Sequence, residues 1–302
     1  MNKSNKISIF ICTYNRGNLI NRTLESLILK QSHNPNEIVV VNGGGQNNCQ
    51  STLEKWKKVF PALKIVQTKN KNLAASRNIG LPYCSGDLIL QTDDDARPFP
   101  NWIEEMVKAH KNNPDYGVIG GRVIDASRGN FLSKIADITT FPNHNSIQKV
   151  RSVPGVNSSY KKEVIESVGE YDETLFRGED VDYNWRAIQK GWDVIFIPDI
   201  KVKHLHRPSW NGLIHQHYMY GRAHYLVRKK WNNMYSHYPI RINSTGTLLK
   251  WGASWTLIPI QDAFQKAKKI GPKINGFDII TFWIINMANR FGSSVQRVQS
   301  SV

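Results

Sequence analysis

Asp93, Asp94 and Asp95 follow the apolar run Leu88-Ile89-Leu90 and therefore stand at the carboxyl end of a predicted strand. Adjacent carboxylates repel one another unless a cation sits among them. Hard divalent ions take oxygen ligands, and Mg²⁺ sites typically combine one or two carboxylates with substrate phosphates. The plainer use of the same residues is an acidic loop, or a helix cap before Pro98. A second acidic group, Glu179-Asp180-Val181-Asp182, opens a helical pattern. Acids at a helix start are favoured by the dipole alone, but here they also supply a carboxylate separate from the first group, as a general base requires. His204 and His206 follow a β-rich run, and alternation puts both imidazoles on one face of a strand. A lone histidine there is more often a packed residue; beside an acidic cluster it is a candidate ligand.

Such groups need a scaffold that brings distant segments to one edge. Short apolar runs at 7–12, 37–41, 63–67, 87–91 and 116–121 read as buried parallel strands. Between them, 19–30, 51–60, 72–81 and 101–112 carry apolar residues three or four apart, as in Leu24, Leu27 and Ile28, and read as helices. The βαβα alternation predicts a doubly wound sheet with its crevice at the carboxyl ends of the strands. Residues 124–150 lose the rhythm and read as an excursion over the sheet edge. The pattern resumes with strands at 156–160, 193–197 and 200–204 and helices at 161–168 and 179–190, which makes the sheet mixed. The division expected is a catalytic domain over 1–206, with halves at about 1–123 and 150–206, and a helical, basic extension over 207–302.

The 302 residues are 40% hydrophobic and 21% charged, which excludes a disordered or collagen-like chain. Of the 40 Lys and Arg and 24 Asp and Glu, 15 cations but only 2 acids lie after residue 200, a balance of +13 that leaves +3 for the rest. From Pro208 onward the chain also holds Trp210, Trp231, Trp251, Trp255 and Trp283; aromatics interleaved with cations are a membrane-interface composition. The segment 213–231 is helical in pattern and ends in Arg228-Lys229-Lys230. The stretches near 247–260 and 277–288 fall short of the ~20 apolar residues of a membrane span. Cys12, Cys49 and Cys84 have no CxxC spacing, so neither a zinc site nor a disulfide framework is predicted. They read as reduced thiols, and the short apolar run after Lys6 predicts no export.

Several segments, in order, resemble a family 2 glycosyltransferase with the nucleotide-diphospho-sugar transferase fold called GT-A. Ile9-Phe10-Ile11-Cys12-Thr13-Tyr14-Asn15-Arg16 resembles the family's opening nucleotide-binding motif, and Asn72-Leu73-Ala74-Ala75-Ser76-Arg77-Asn78-Ile79-Gly80 its NxGxxxARNxG segment. Asp93-Asp94-Asp95 is similar to its DxD motif, Pro154-Gly155-Val156-Asn157 to its acceptor-side loop, Glu179-Asp180 to its ED motif, and Pro198-Asp199 with His204 to its closing PD…H pattern. The resemblance covers about residues 6–206. It implies an inverting, metal-dependent transferase that moves a sugar from a UDP- or dTDP-sugar to a hydroxyl of a glycan or lipid-linked acceptor in polysaccharide or cell-surface glycan biosynthesis.

On that resemblance Thr13, Tyr14, Asn15, Arg16, Asn42 and Arg77 meet the donor, with Asp93 or Asp94 toward its ribose and water. Asp95 and His204 hold Mn²⁺ or Mg²⁺, Gly155 and Asn157 meet the acceptor, Asp180 is the base, and Glu179 orients the acceptor or Asp180. One departure stands out. Val41-Asn42-Gly43-Gly44-Gly45 replaces the family's usual second-strand aspartate, so Asn42 has only an amide oxygen to offer a pyrimidine and the nucleotide is left open.

Two rival readings remain at this stage. A nucleic-acid or anionic-membrane binding protein explains the basic tail but neither acidic cluster; a nucleotidyltransferase normally shows a Gly-rich loop after the first strand, where this chain has Thr13-Tyr14-Asn15-Arg16. The partners expected are therefore a nucleotide sugar, an acceptor and an anionic membrane surface, with no nucleic acid, and a homodimer through the tail as the other use of its tryptophans. The location expected is cytoplasmic, peripheral on the inner membrane face.

Overall fold

A computed structural model describes residues 6–44, 48–69, 71–127, 131–206, 209–234, 243–271 and 273–300; Gly45 and Pro208 lie outside them. In chain order the elements are β1 (Ile7–Thr13), α1 (Gly17–Ile28), β2 (Glu37–Asn42), α2 (Cys49–Val59), β3 (Leu63–Gln67), α3 (Leu73–Gly80), β4 (Leu88–Asp93), β5 (Ala96–Pro98), α4 (Trp102–Asn112), β6 (Tyr116–Asp125) and α5 (Phe131–Thr140). They continue with β7 (Gln148–Lys149), β8 (Ser158–Lys161), α6 (Lys162–Val168), α7 (Glu179–Gln189), β9 (Asp193–His204), α8 (Trp210–Lys230), α9 (Thr245–Trp255), α10 (Leu257–Ala267) and α11 (Gly276–Gln299). The chain divides into two compact units: one holds residues up to Ala126 and Phe141–Leu205, the other Ser127–Thr140 and the chain from His206.

The first unit is built on a mixed sheet of order β3-β2-β1-β4-β8-β6-β9-β5, with β7 also paired to β9. β3, β2, β1 and β4 run parallel; β8 is antiparallel to β4 and β6. Alternation along β1 sends Ile7, Ile9 and Ile11 to one face, where they pack with Ile20, Leu24 and Leu27 of α1 and Leu53 of α2. Phe10 goes to the other, against Val39, Val41, Val66 and Ile89. Both faces are thus covered, which is why these strands read as nearly continuous apolar runs. The later half has its own core of Tyr160, Val164, Tyr171, Tyr183 and Val194.

Two features depart from the sequence reading. The two strands expected at 193–197 and 200–204 are one strand, β9, whose register against β6 jumps from Gly121↔Ile197 to Arg122↔Lys201. Pro198 lies in that bulge, where its missing N–H costs no ladder bond. The three-residue β5 was not anticipated; it pairs antiparallel with the end of β9, Ala96 opposite His204.

In the second unit Leu132, Ile135 and Ala136 of α5 share a core with Leu213, Ala263, Phe282 and Ile285. Residues 131–140, read only as part of an excursion, are therefore a packed helix. α8 and α11 run parallel at close approach, Trp210 against Phe277 near their starts and Lys229 Nζ 3.3 Å from Ser300 O near their ends; a Cβ on Gly221 would stand 1.8 Å from Asn289 O, and one on Gly292 1.9 Å from Tyr218 O.

Candidate active site

β4 ends at Asp93, the chain turns through Asp94 and Asp95, and β5 returns against β9. This short pairing carries His204 to the acids. Its Nε2 lies 3.1 Å from Asp95 Oδ1, and the ring stands edge-on to Phe141, centroids 5.3 Å apart. One ligand atom from each of Asp93, Asp95 and His204 lies within 4.8 Å of the others, the one such grouping among the described residues. Asp94 turns away: it is buried, its Oδ2 accepts from Thr13 Oγ1 at 2.7 Å, and its Oδ1 lies 3.1 Å from Arg16 Nη1. Arg16 Nη1 also reaches Asp95 Oδ2 at 3.0 Å.

The electrostatics follow from this crowding. Burial, then Asp95, push Asp93 up to about 7. Burial also works to raise Asp95, but the hydrogen bond and charge of His204, with Arg16, outweigh it and hold that carboxyl below its usual value. Burial acts to lower His204, and Asp95 overcomes it in the other direction. Two carboxylates and an imidazole at this spacing form an O,O,N donor set that suits Mn²⁺ or Mg²⁺. Asp95 Oδ1 is buried and faces His204 Nε2 at 3.1 Å, so the carboxylate and the imidazole already point at one another where an ion would sit. The residues fit a divalent metal.

These groups line a groove of about 280 Å³ together with Cys12, Thr13, Tyr14, Leu73 and Ser76. Tyr14 is 48% exposed at its edge, and Asn15 takes a left-handed φ of 58° that turns the chain from β1 toward α1. Leu73 and Ser76, which the sequence reading did not single out, enter through the first turns of α3, whose start Asn72 caps by accepting from Ala75 N at 2.8 Å.

Asp180 stands in the first turn of α7. Its Oδ2 accepts from Gly155 N at 3.1 Å and its Oδ1 from Val181 N at 2.8 Å. A Cβ on Gly155 would lie 2.5 Å from Arg77 Nη2 and 2.6 Å from Gln91 Nε2, so a larger residue there would have to displace the ends of those two side chains. Glu179 points inward, its Oε1 2.7 Å from Arg77 Nη1, both side chains almost wholly buried. Burial raises Glu179 against the lowering pull of Arg77. Arg77 also lies over the Tyr171 ring, 5.1 Å from its centroid.

Three residues to which the resemblance gives ligand contacts are hydrogen-bonded within the fold. Arg77, expected to meet the donor, is buried and pairs its Nη1 with Glu179. Asn157, expected to meet the acceptor, is fully buried and saturated: it accepts from Trp102 Nε1 at 2.8 Å and donates to Arg122 O and Ile200 O, bracing the β6–β9 bulge. Asn42 is buried, with its Oδ1 accepting from Gly44 N and its Nδ2 donating to Gln50, both at 3.2 Å. His206, the other histidine of the pair, belongs to the second unit, 3.4 Å from Asp137.

A sequence profile described as Glycosyl transferase family 2 matches residues 8–169. A glucosyl-dolichyl phosphate glucuronosyltransferase of Haloferax volcanii is 30% identical over 186 residues, 58% of this chain and 58% of the relative, so the match spans somewhat more than half of that protein's length. Among solved structures, a mannosyltransferase from Pyrobaculum calidifontis in complex with GDP-Man and Mn²⁺ superposes with a TM-score of 0.69 at 16% identity, over 100% of this chain and 89% of that one. GalNAc-T7 with UDP, GalNAc and Mn²⁺ gives a TM-score of 0.56 at 16% identity, over 76% of this chain and 55% of that one. The likeness at that identity shows the GT-A fold expected from the sequence, with a helical carboxyl-terminal region.

Proposed function

The chain belongs to glycosyl transferase family 2, and from that premise we propose that it moves one sugar from a nucleoside-diphosphate donor to a hydroxyl of a glycan or lipid-linked acceptor, with inversion and with a divalent ion. The observation that carries this reading is the convergence of Asp93, Asp95 and His204 on the floor of the groove. Both solved neighbours named above hold Mn²⁺. An ion held by these three side chains would neutralise the charge that grows on the diphosphate as the glycosidic bond breaks.

The chain's own groups supply the rest. Arg16, at the same end of the groove, offers a cation to the diphosphate, and the exposed ring of Tyr14 offers a surface for the nucleoside. Asp180 takes the proton of the acceptor hydroxyl as that oxygen attacks the anomeric carbon. Arg77, Glu179 and Gly155 are positioning residues that fix the start of α7 and the rotamer of Asp180. A single base, with attack from the face opposite the diphosphate, inverts the anomeric carbon without a covalent intermediate. We take a UDP- or dTDP-sugar as donor on the family resemblance, polysaccharide or cell-surface glycan assembly as the setting, and the cytoplasmic side as the location. No helix among the described residues is long and apolar enough to cross a membrane.

The test is a panel of UDP-, dTDP- and GDP-sugars, each with Mn²⁺, Mg²⁺ or excess chelator, read by release of the nucleoside diphosphate and by NMR of the anomeric configuration of the product. Turnover that survives the chelator removes the ion from the mechanism, and a retained configuration removes Asp180 as sole base.

A further inference from the structure

The helices after residue 209 carry apolar side chains on faces that stay exposed among the described residues. α11 is apolar on two opposite sides. Phe282, Ile285 and Gly292 are buried, whereas Ile280, Trp283, Phe291 and Val298 form a stripe on the far side that stays exposed, Phe291 by 59% and Val298 by 66%. A helix apolar all round is ordinarily buried all round. α10 repeats the arrangement: Pro259, Ala263 and Ala267 face inward, while Leu257, Ile260 and Phe264 are exposed. In α9 only Ser254 is buried, and Leu248, Leu249 and Trp251 are exposed.

Charge says what covers these faces. The two acids after residue 200 are spent within the unit: Asp262 pairs with Lys266 at 2.6 Å, and buried Asp278 caps α11 by accepting from Asn275 N at 3.2 Å. Lys250, Lys268, Lys269 and Lys273 are exposed on or beside α9 and α10, and Lys268 Nζ lies 4.8 Å from the ring centroid of exposed Phe264. Two copies of such a face would set like charge against like charge, and a nucleic acid would leave the apolar stripes wet. An anionic bilayer supplies both an apolar layer and opposite charge.

We infer that α9, α10 and α11 form a docking face for an anionic lipid bilayer, lying in its interface with their exposed apolar residues in the headgroup–acyl boundary and their lysines on the headgroups. This goes beyond the glycosyl-transfer reading and does not rest on it. Its consequence for that reading is that a lipid-linked acceptor would be presented where the enzyme already sits.

The full chain is to be sedimented with phosphatidylglycerol-containing vesicles and with pure phosphatidylcholine vesicles, without donor or metal. We expect binding to the anionic vesicles tighter on the order of tenfold or more, weakening as salt shortens the screening length. Phe264→Ser and Phe291→Ser, singly and together, should lower that binding. Lys268→Glu with Lys269→Glu should lower it and flatten the salt dependence. Ile147→Ser, an exposed apolar residue of the first unit, should leave it unchanged. The comparison is made among variants with wild-type circular dichroism; the surface positions and the separate charge variant keep it decisive if one variant folds poorly. Equal binding to both lipids, no binding to either, or wild-type binding by all variants overturns the inference. So does a self-associated protein that ignores vesicles and that Phe291→Ser makes monomeric, which would assign the face to a second copy. Nucleotide-sugar hydrolysis in vesicle-free buffer reports separately on the catalytic reading.

Discussion

Arg77 Nη1 and Glu179 Oε1 lie 2.7 Å apart across 102 residues of sequence, in a pair almost wholly withdrawn from water. It joins α3, which lines the groove, to the start of α7, which carries Asp180. Breaking a buried pair from one side strands a charge, at a cost of about 3–5 kcal/mol. Arg77→Met should therefore lower the urea midpoint sharply, whereas Arg77→Met with Glu179→Leu should recover most of the stability. The double variant should still transfer sugar poorly, because α7 has lost its anchor. Recovery of both stability and kcat would show that the pair has no positioning role.

Asp95→Ala and His204→Ala should each remove most of the thermal stabilisation that Mn²⁺ gives the protein, while His206→Ala keeps it. At an ion concentration about a hundredfold above Kd that stabilisation amounts to about 2.7 kcal/mol. The readout is the Mn²⁺-dependent shift in Tm. A larger loss for His206→Ala than for His204→Ala would move the ligand to the other histidine.

Asp180→Asn keeps the hydrogen bonds to Gly155 N and Val181 N through the amide oxygen only in part, but it is nearly isosteric. The expected result is an unchanged donor affinity with kcat lower by about 10² to 10⁴-fold. Full activity in Asp180→Asn beside an inactive Glu179→Gln would place the base one residue earlier.

His110 gives the fold a pH signature. It is buried, its Nε2 2.8 Å from Ser159 Oγ and its Nδ1 3.1 Å from the carbonyl of Tyr116. A carbonyl only accepts, so Nδ1 carries the proton and Nε2 accepts from Ser159; the neutral ring is the one that fits. Burial, aided by the charge of Lys161, lowers its pKa to about 3. The unfolded chain takes up this proton near 6.5 and the folded chain does not, so stability is complete above that value and falls with pH down to about 3. The slope is about 1.4 kcal/mol per pH unit. Urea unfolding at stepped pH should show one proton fewer in the slope for His110→Gln.

Gly221 and Gly252 make a contrasting pair. Gly221→Ala drives a Cβ into the backbone of α11 and should destabilise by about 1–3 kcal/mol, the usual cost of overpacking. Gly252, inside α9, has nothing within 4 Å of an added Cβ, so Gly252→Ala should stabilise by about 0.5–1 kcal/mol through helix propensity. Thermal unfolding of both variants checks the two signs.

What can be read in one dimension is what neighbouring residues decide together. The strands and helices around Ile7, Leu24, Val39 and Leu90 were legible because each buries a periodic set of its own side chains. The acids at the end of β4 were legible because they interrupt an apolar run. The basic, aromatic tail was likewise visible in composition, though not the faces on which its residues fall.

The partners of those residues were set elsewhere. Whether Asp93 or Asp94 joins the metal group depends on which way a turn of three acids points, and that is decided by Thr13 and Arg16. His204 reaches Asp95 only because β5, too short to show a period, pairs with the end of β9. Arg77 and Asn157 look like ligand-binding residues from their motifs, yet burial turns their hydrogen bonds inward, to Glu179 and to the β6–β9 bulge. Residues 131–140 have an amphipathic pattern whose partners, Leu213 and Phe282, lie far along the chain. In each case the deciding term is the desolvation of a polar or apolar group by residues distant in sequence, and that term exists only once the chain has closed on itself.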